Sequence, residues 1–164
     1  GDDFADSNMV SVNDFSPTQL ISSVYSMNQG VDFRGRRLLS KTNVCVGAVI
    51  DLGDDLNHQL HLTRKKIEAG AEYFLLQALF HPHRLTRFME MYFDSFDEPI
   101  EETIFCGVQV MKKDSLAFGD VPQGVIDDLD KGRSAADIAV QLSNEYMDLG
   151  FNSIYLVPPI ICLL

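Results

Sequence analysis

The chain has 164 residues, 46% of them hydrophobic, which is enough for one buried core and suits one domain better than two. Its 24 acidic side chains oppose 13 basic ones for a net charge of −11 with no offsetting Lys/Arg run, a balance that repels a phosphate backbone and excludes nucleic acid as an expected partner. No apolar stretch approaches the roughly 20 residues that span a bilayer, and the start GDDFADS is acidic rather than signal-like, so no membrane partner is expected either.

The elements alternate along the chain. In SPTQLISSVYSMNQG, Ser16 is placed to cap, Pro17 suits a first helical position, and Leu20, Val24 and Met27 recur at helical spacing before Gly30. Val44 to Ile50 is almost wholly apolar, as a parallel strand covered on both faces would be. A helix with Leu56, Leu60 and Ile67 follows and stops at Gly70. Next come a strand over Tyr73 to Leu79 and a helix from about Pro82 to Tyr92 with Leu85, Phe88, Met89 and Tyr92 inward. Ile104 to Val110 is the third strand, and Lys112 to Val121 a polar connection. Pro122 opens a short helix, Ser134 caps a longer one using Ile138, Leu142 and Tyr146, and Ser153 to Val157 is the last strand, stopped by Pro158-Pro159.

Cys45, Cys106 and Cys162 are odd in number and widely spaced, and the first two lie inside apolar runs; we expect reduced, buried thiols and a cytoplasmic location.

Four strands with intervening helices predict an α/β fold, a partial (β/α)8 TIM barrel of about four C-terminal βα units, since a whole barrel takes about 250 residues and eight strands. Such a half-barrel leaves two strand edges and an inner face uncovered. The expectation is therefore a piece of a longer chain whose missing N-terminal half covers them, or a homo-oligomer.

In this architecture functional groups stand at the C-terminal ends of strands. Gln77, late in an apolar strand, carries an amide that both donates and accepts, which suits a heterocycle edge or a polar barrel core. Asp51, Asp54 and Asp55 follow a strand end, where acid/base, cation-binding, loop and N-cap roles all remain open. His81 and His83 flank Pro82, and His58 and His61 lie near a helix start. None has the i, i+4 spacing of a zinc helix, and no metal site is predicted. Lys65 and Lys66 fall in the last turns of a helix, where cations favour the negative dipole end. No G-x-S-x-G, Walker loop, H-E-x-x-H or G-x-G-x-x-G occurs.

The ordered segments NDFSPTQLISSVYSMNQGVDFRG, CVGAVIDL, TRKKIEAGAEYFLLQALF, FCGVQVM and AADIAVQLSNEYMDLGFNSIYLVPP resemble the second half of the methylenetetrahydrofolate reductases. The most specific part is Lys66-Ile67-Glu68-Ala69-Gly70-Ala71 with Gln77 six residues on. The segment Asn28-Gln29-Gly30-Val31-Asp32-Phe33-Arg34-Gly35 and the Pro158-Pro159 ending are closest to the branch found fused to homocysteine methyltransferases. The resemblance implies an FAD-dependent oxidoreductase of one-carbon metabolism and methionine biosynthesis, reducing the folate substrate 5,10-methylenetetrahydrofolate to 5-methyltetrahydrofolate with NAD(P)H. By position it implies cofactor-binding roles for Gly1, Asp2 and Lys66 and substrate binding by Gln77, the first pair near the flavin ring and the lysine near its phosphates. The family's general-acid glutamate lies in the strands this chain lacks, so no catalytic residue is assigned. Departures include Val49-Ile50 and Gly53 where many members have Tyr-Pro and a nearby His, and Gln59 where they have a flavin-contacting Asp. The alternative reading is a non-catalytic half-barrel that self-associates or binds a partner.

Overall fold

The structure is a computed structural model that describes residues 14–53, 55–113 and 115–159. Helix α1 (Pro17–Asn28) opens on a reciprocal cap: the Gln19 N–H donates to Ser16 Oγ and the Ser16 N–H to Gln19 Oε1, with Pro17 filling the first turn. The NQGVDFRG segment then folds on itself. Asp32 Oδ1 accepts the N–H groups of Arg34 and Arg36, which holds its carboxyl below the usual carboxylate range, and Gly30 and Gly35 take the positive φ the turn requires.

Four strands follow: β1 (Gly47–Ile50), β2 (Tyr73–Leu76), β3 (Thr103–Gln109) and β4 (Ile154–Val157). All pair in parallel in the sequential order β1-β2-β3-β4. Between them run α2 (Leu56–Glu68), α3 (His83–Phe96), α4 (Gln123–Asp130) and α5 (Ala135–Asp148). Parallel crossovers are right-handed, so strands added in one direction bring their helices to one face, the winding a partial barrel has and a doubly wound sheet lacks.

Burial follows that winding. Ile50, Phe74, Leu76, Cys106 and Val108 are fully buried and pack with Leu60 of α2, Leu85, Phe88 and Tyr92 of α3, and Leu142 and Tyr146 of α5. The alternate residues are not covered in the same way: Val49 is 48% exposed, and Leu75 and Phe105, its partners in the register, are half-buried. Glycines let aromatic rings lie across this second face. A Cβ at Gly47 would sit 2.2 Å from Tyr73 Cζ, and one at Gly107 2.7 Å from the Tyr155 hydroxyl.

Three expectations change. The first strand begins at Gly47 rather than Val44 and is bare on one face, because nothing described here lies over Val49. Cys45, expected inside, is exposed, since it precedes the sheet; Cys106 is buried, both are free thiols, and Cys162 lies outside the described residues. Strand β2 stops at Leu76, one residue before Gln77, because its partner β1 ends at Ile50. The caps at Ser16 and Ser134, the helix end before Gly70 and the inward face of α3 lie where the pattern put them.

Candidate functional site

At the C-terminal ends of β1 and β2 the chain turns around a cleft of about 460 Å³. Its floor comes from Asp51, Leu52 and Gly53 after β1 and from Gln77, Ala78 and Leu79 after β2. His81 and Arg84 add to the lining, and Phe118, Gly119 and Asp120 form a wall that lies against Ala78.

Gln77 is held by its backbone and left free at its amide. The Gln77 N–H donates to Ile50 O at 2.9 Å, the Tyr155 hydroxyl donates to Leu76 O at 2.9 Å, and the Tyr146 hydroxyl to Leu79 O at 3.2 Å. Burial pushes both tyrosine hydroxyls above their ordinary range, so they stay protonated donors at neutral pH. The three bonds come from β1, β4 and α5 and fix residues 76–79. The Gln77 side chain, half-buried, makes no hydrogen bond within the described residues. Two donors and a carbonyl are thus presented at a strand end on a fixed support, which can read a planar group with adjacent donors and acceptors.

Neither a family model nor a curated protein matches the sequence. A solved structure does share the fold. It is described as an uncharacterized protein from Clostridium thermocellum that binds two copies of 5-methyl-5,6,7,8-tetrahydrofolic acid, and it aligns at TM-score 0.55 and 16% identity over 74% of this chain and 48% of that one. The chain therefore spans about half the length of that structure.

Of the other sequence candidates, Asp51 and His81 also line the cleft, whereas Lys66, Asp55, His58, His61 and His83 do not. Lys66, in the last turn of α2, is buried and its Nζ donates to Val49 O at 2.5 Å; burial lowers its pKa from the ordinary lysine value. The carbonyls of Val46 and Ile50 accept from Glu72 and Gln77, which flank β2, so by alternation that of Val49 points to the open edge of β1. Lys66 therefore covers a strand edge. Gln59, Thr63 and Lys66 are all buried on one side of α2, and Gln59 Oε1 and Thr63 Oγ1 have no hydrogen-bond partner. Gly1, Asp2 and Asp54 lie outside the described residues.

Asp55 caps α2 by accepting the Asn57 N–H, and Asp51 accepts the Gly53 N–H at the cleft rim. His58, His61 and His83 are exposed and away from the cleft, with His61 edge-on to Phe96. Among the described residues, no group of three or more His, Cys, Asp or Glu could hold a metal ion. No helix of the described residues is long and apolar enough to cross a membrane.

Two residues at or behind the cleft, Arg84 in its lining and the buried Gln109, were not singled out in the sequence. Arg84 donates through Nη2 to Leu52 O, joining α3 to the loop after β1, and its buried Nε has no partner. Gln109 ends β3 as Gln77 follows β2, yet only 2% of it is exposed and both ends of its amide are bonded. The motif FCGVQVM held the clue, a second amide closing an apolar strand.

Proposed function

We propose that this chain is the C-terminal half of a methylenetetrahydrofolate-reductase-like (β/α)8 barrel, and that its strand-end cleft binds the pterin of a reduced folate through Gln77. The carrying observation is the Gln77 amide itself, unbonded and half-buried in a cleft on a backbone held by β1, β4 and α5. The 5-methyltetrahydrofolate bound by the structure that shares the fold supports folate as the ligand class. A pterin edge offers neighbouring donors and acceptors, which an amide can pair on both sides.

The bare face of the sheet we assign to the other half of the barrel, on the ground that the chain matches 48% of a structure with this fold and that parallel sheets are covered on both faces. If the complete barrel binds FAD, the flavin would supply hydride-transfer chemistry between NAD(P)H and the folate. The buried polar side of α2, with two unpartnered oxygens at Gln59 and Thr63, suits a polar cofactor in its donor chemistry. The direction of Lys66 does not: its ammonium would have to leave Val49 O to meet a flavin phosphate. The general acid belongs to the half this chain lacks, so we propose turnover for the complete barrel alone.

Titrating 5-methyltetrahydrofolate into the complete protein tests the reading. Gln77→Ala should weaken binding about tenfold, the loss of roughly 1.4 kcal/mol of amide pairing. An affinity that Gln77→Ala leaves unchanged would overturn the assignment.

A further inference from the structure

We infer that Gln109 is a positioning residue for the cleft: its amide clips the connection after β3 back onto the strand end and so sets the wall that faces Gln77. The inference borrows from the proposed function only the identity of the ligand. Gln109 Nε2 donates to Leu116 O at 2.6 Å and Gln109 Oε1 accepts the Phe118 N–H at 3.1 Å, from a side chain 2% exposed. One side chain thus pairs a carbonyl and an N–H two residues apart on the same segment and ties both to a buried strand end.

What the clip holds is the cleft wall. Phe118 is bonded directly, and Gly119 and Asp120 follow it. A Cβ at Gly119 would lie 3.3 Å from Ala78 O, so the wall already rests against the segment that carries Gln77. The clip also needs an amide specifically. Glutamate, of the same shape, sets a second acceptor against Leu116 O, and methionine fills the space but pairs with neither group. Either change frees the wall to move away from Gln77 without touching a ligand. The two glutamines are then complementary: one is spent on the protein so that the other stands beside a fixed surface.

The experiment uses Gln109→Glu and Gln109→Met in the complete protein, with two readouts. Hydrogen exchange at the Phe118 amide should rise at least tenfold in Gln109→Met and less in Gln109→Glu, which keeps an acceptor for that N–H, while that of Leu76 in β2 stays unchanged. Affinity for 5-methyltetrahydrofolate should fall about five- to tenfold, and the fall should vanish when Gln109→Met is made in a Phe118→Ala background, where the wall has already lost its side chain. Unchanged exchange at Phe118, or a full additional loss in the Phe118→Ala background, overturns the inference. If the wild-type protein does not bind the folate, the folate reading fails and the exchange result alone decides the clip. If neither variant folds, the wild-type amide decides: protection of the Phe118 N–H at the level of β3 supports the clip, and exchange at the rate of an open loop overturns it.

Discussion

The two faces of the sheet differ more than the sequences of its strands suggest. At one level of the register Ile50, Leu76 and Cys106 pair and are fully buried; one residue earlier Val49, Leu75 and Phe105 pair, and Val49 is 48% exposed. Both sets are apolar. Period-two alternation normally separates apolar from polar residues when only one face is covered, and an apolar run normally means that both are. These strands therefore carry the composition of a sheet covered twice, in a span that covers it once. Gln77 continues the alternation Tyr73, Leu75 at the C-terminal end, so the candidate ligand reader stands at the rim of the half-bare face.

The largest effect that would break this comparison comes from neighbouring residues in β2. Phe74, fully buried under the helices, should lose about 3–5 kcal/mol of stability as Phe74→Ala, read from denaturant unfolding. Leu75→Ala, on the half-bare face, should lose less than about half of that. Equal losses would mean that the second face is already covered in solution by another copy of the chain.

Much of this architecture was legible beforehand, and the reasons for the rest are specific. Helix ends were readable because Ser16, Ser134 and Gly70 act through their own backbone neighbourhood. The strands were readable as apolar runs, but which side of them is covered depends on where helices distant in the sequence pack, and no local pattern contains that. Gln77 was legible as an amide in the wrong company. Gln109 has the same company and a different fate, decided by Leu116 and Phe118 folding back seven and nine residues later. Lys66 was legible only in part for a similar reason: helix position explains a cation in the last turn, but not a burial that ends on the carbonyl of Val49.

A smaller effect sharpens the buried side of the comparison through pH. The Cys106 thiol, buried on the helix face, is pushed from 9.0 up to about 12. Between these values the unfolded chain has lost the proton and the folded chain keeps it, so stability falls as pH rises above 9. The loss reaches about 1.4 kcal/mol by pH 10. Cys106→Ala should flatten that limb of the stability profile, although it lowers stability at neutral pH by leaving a cavity. An alkaline limb identical in wild type and Cys106→Ala would mean that the thiol is solvated and the helix face looser than its burial implies.

Lys66 supplies the smallest effect, and its sign is opposite. Its pKa is lowered by burial, so over the range between the lowered value and 10.5 the unfolded chain binds the proton and the folded chain has released it. Stability from this group therefore rises with pH and partly offsets the Cys106 slope. Lys66→Met removes the offset, and the fall above pH 9 should steepen; an unchanged slope would mean that the ammonium is not buried as described. The same measurement on the longer protein proposed above separates two states of the β1 edge. If an incoming strand takes Val49 O and displaces the Lys66 side chain into solvent, the burial that lowers its pKa is relieved and Lys66→Met no longer changes the slope. If Lys66 stays on Val49 O in the complete protein, the steepening persists, and the edge of β1 is closed by this side chain instead of by another strand.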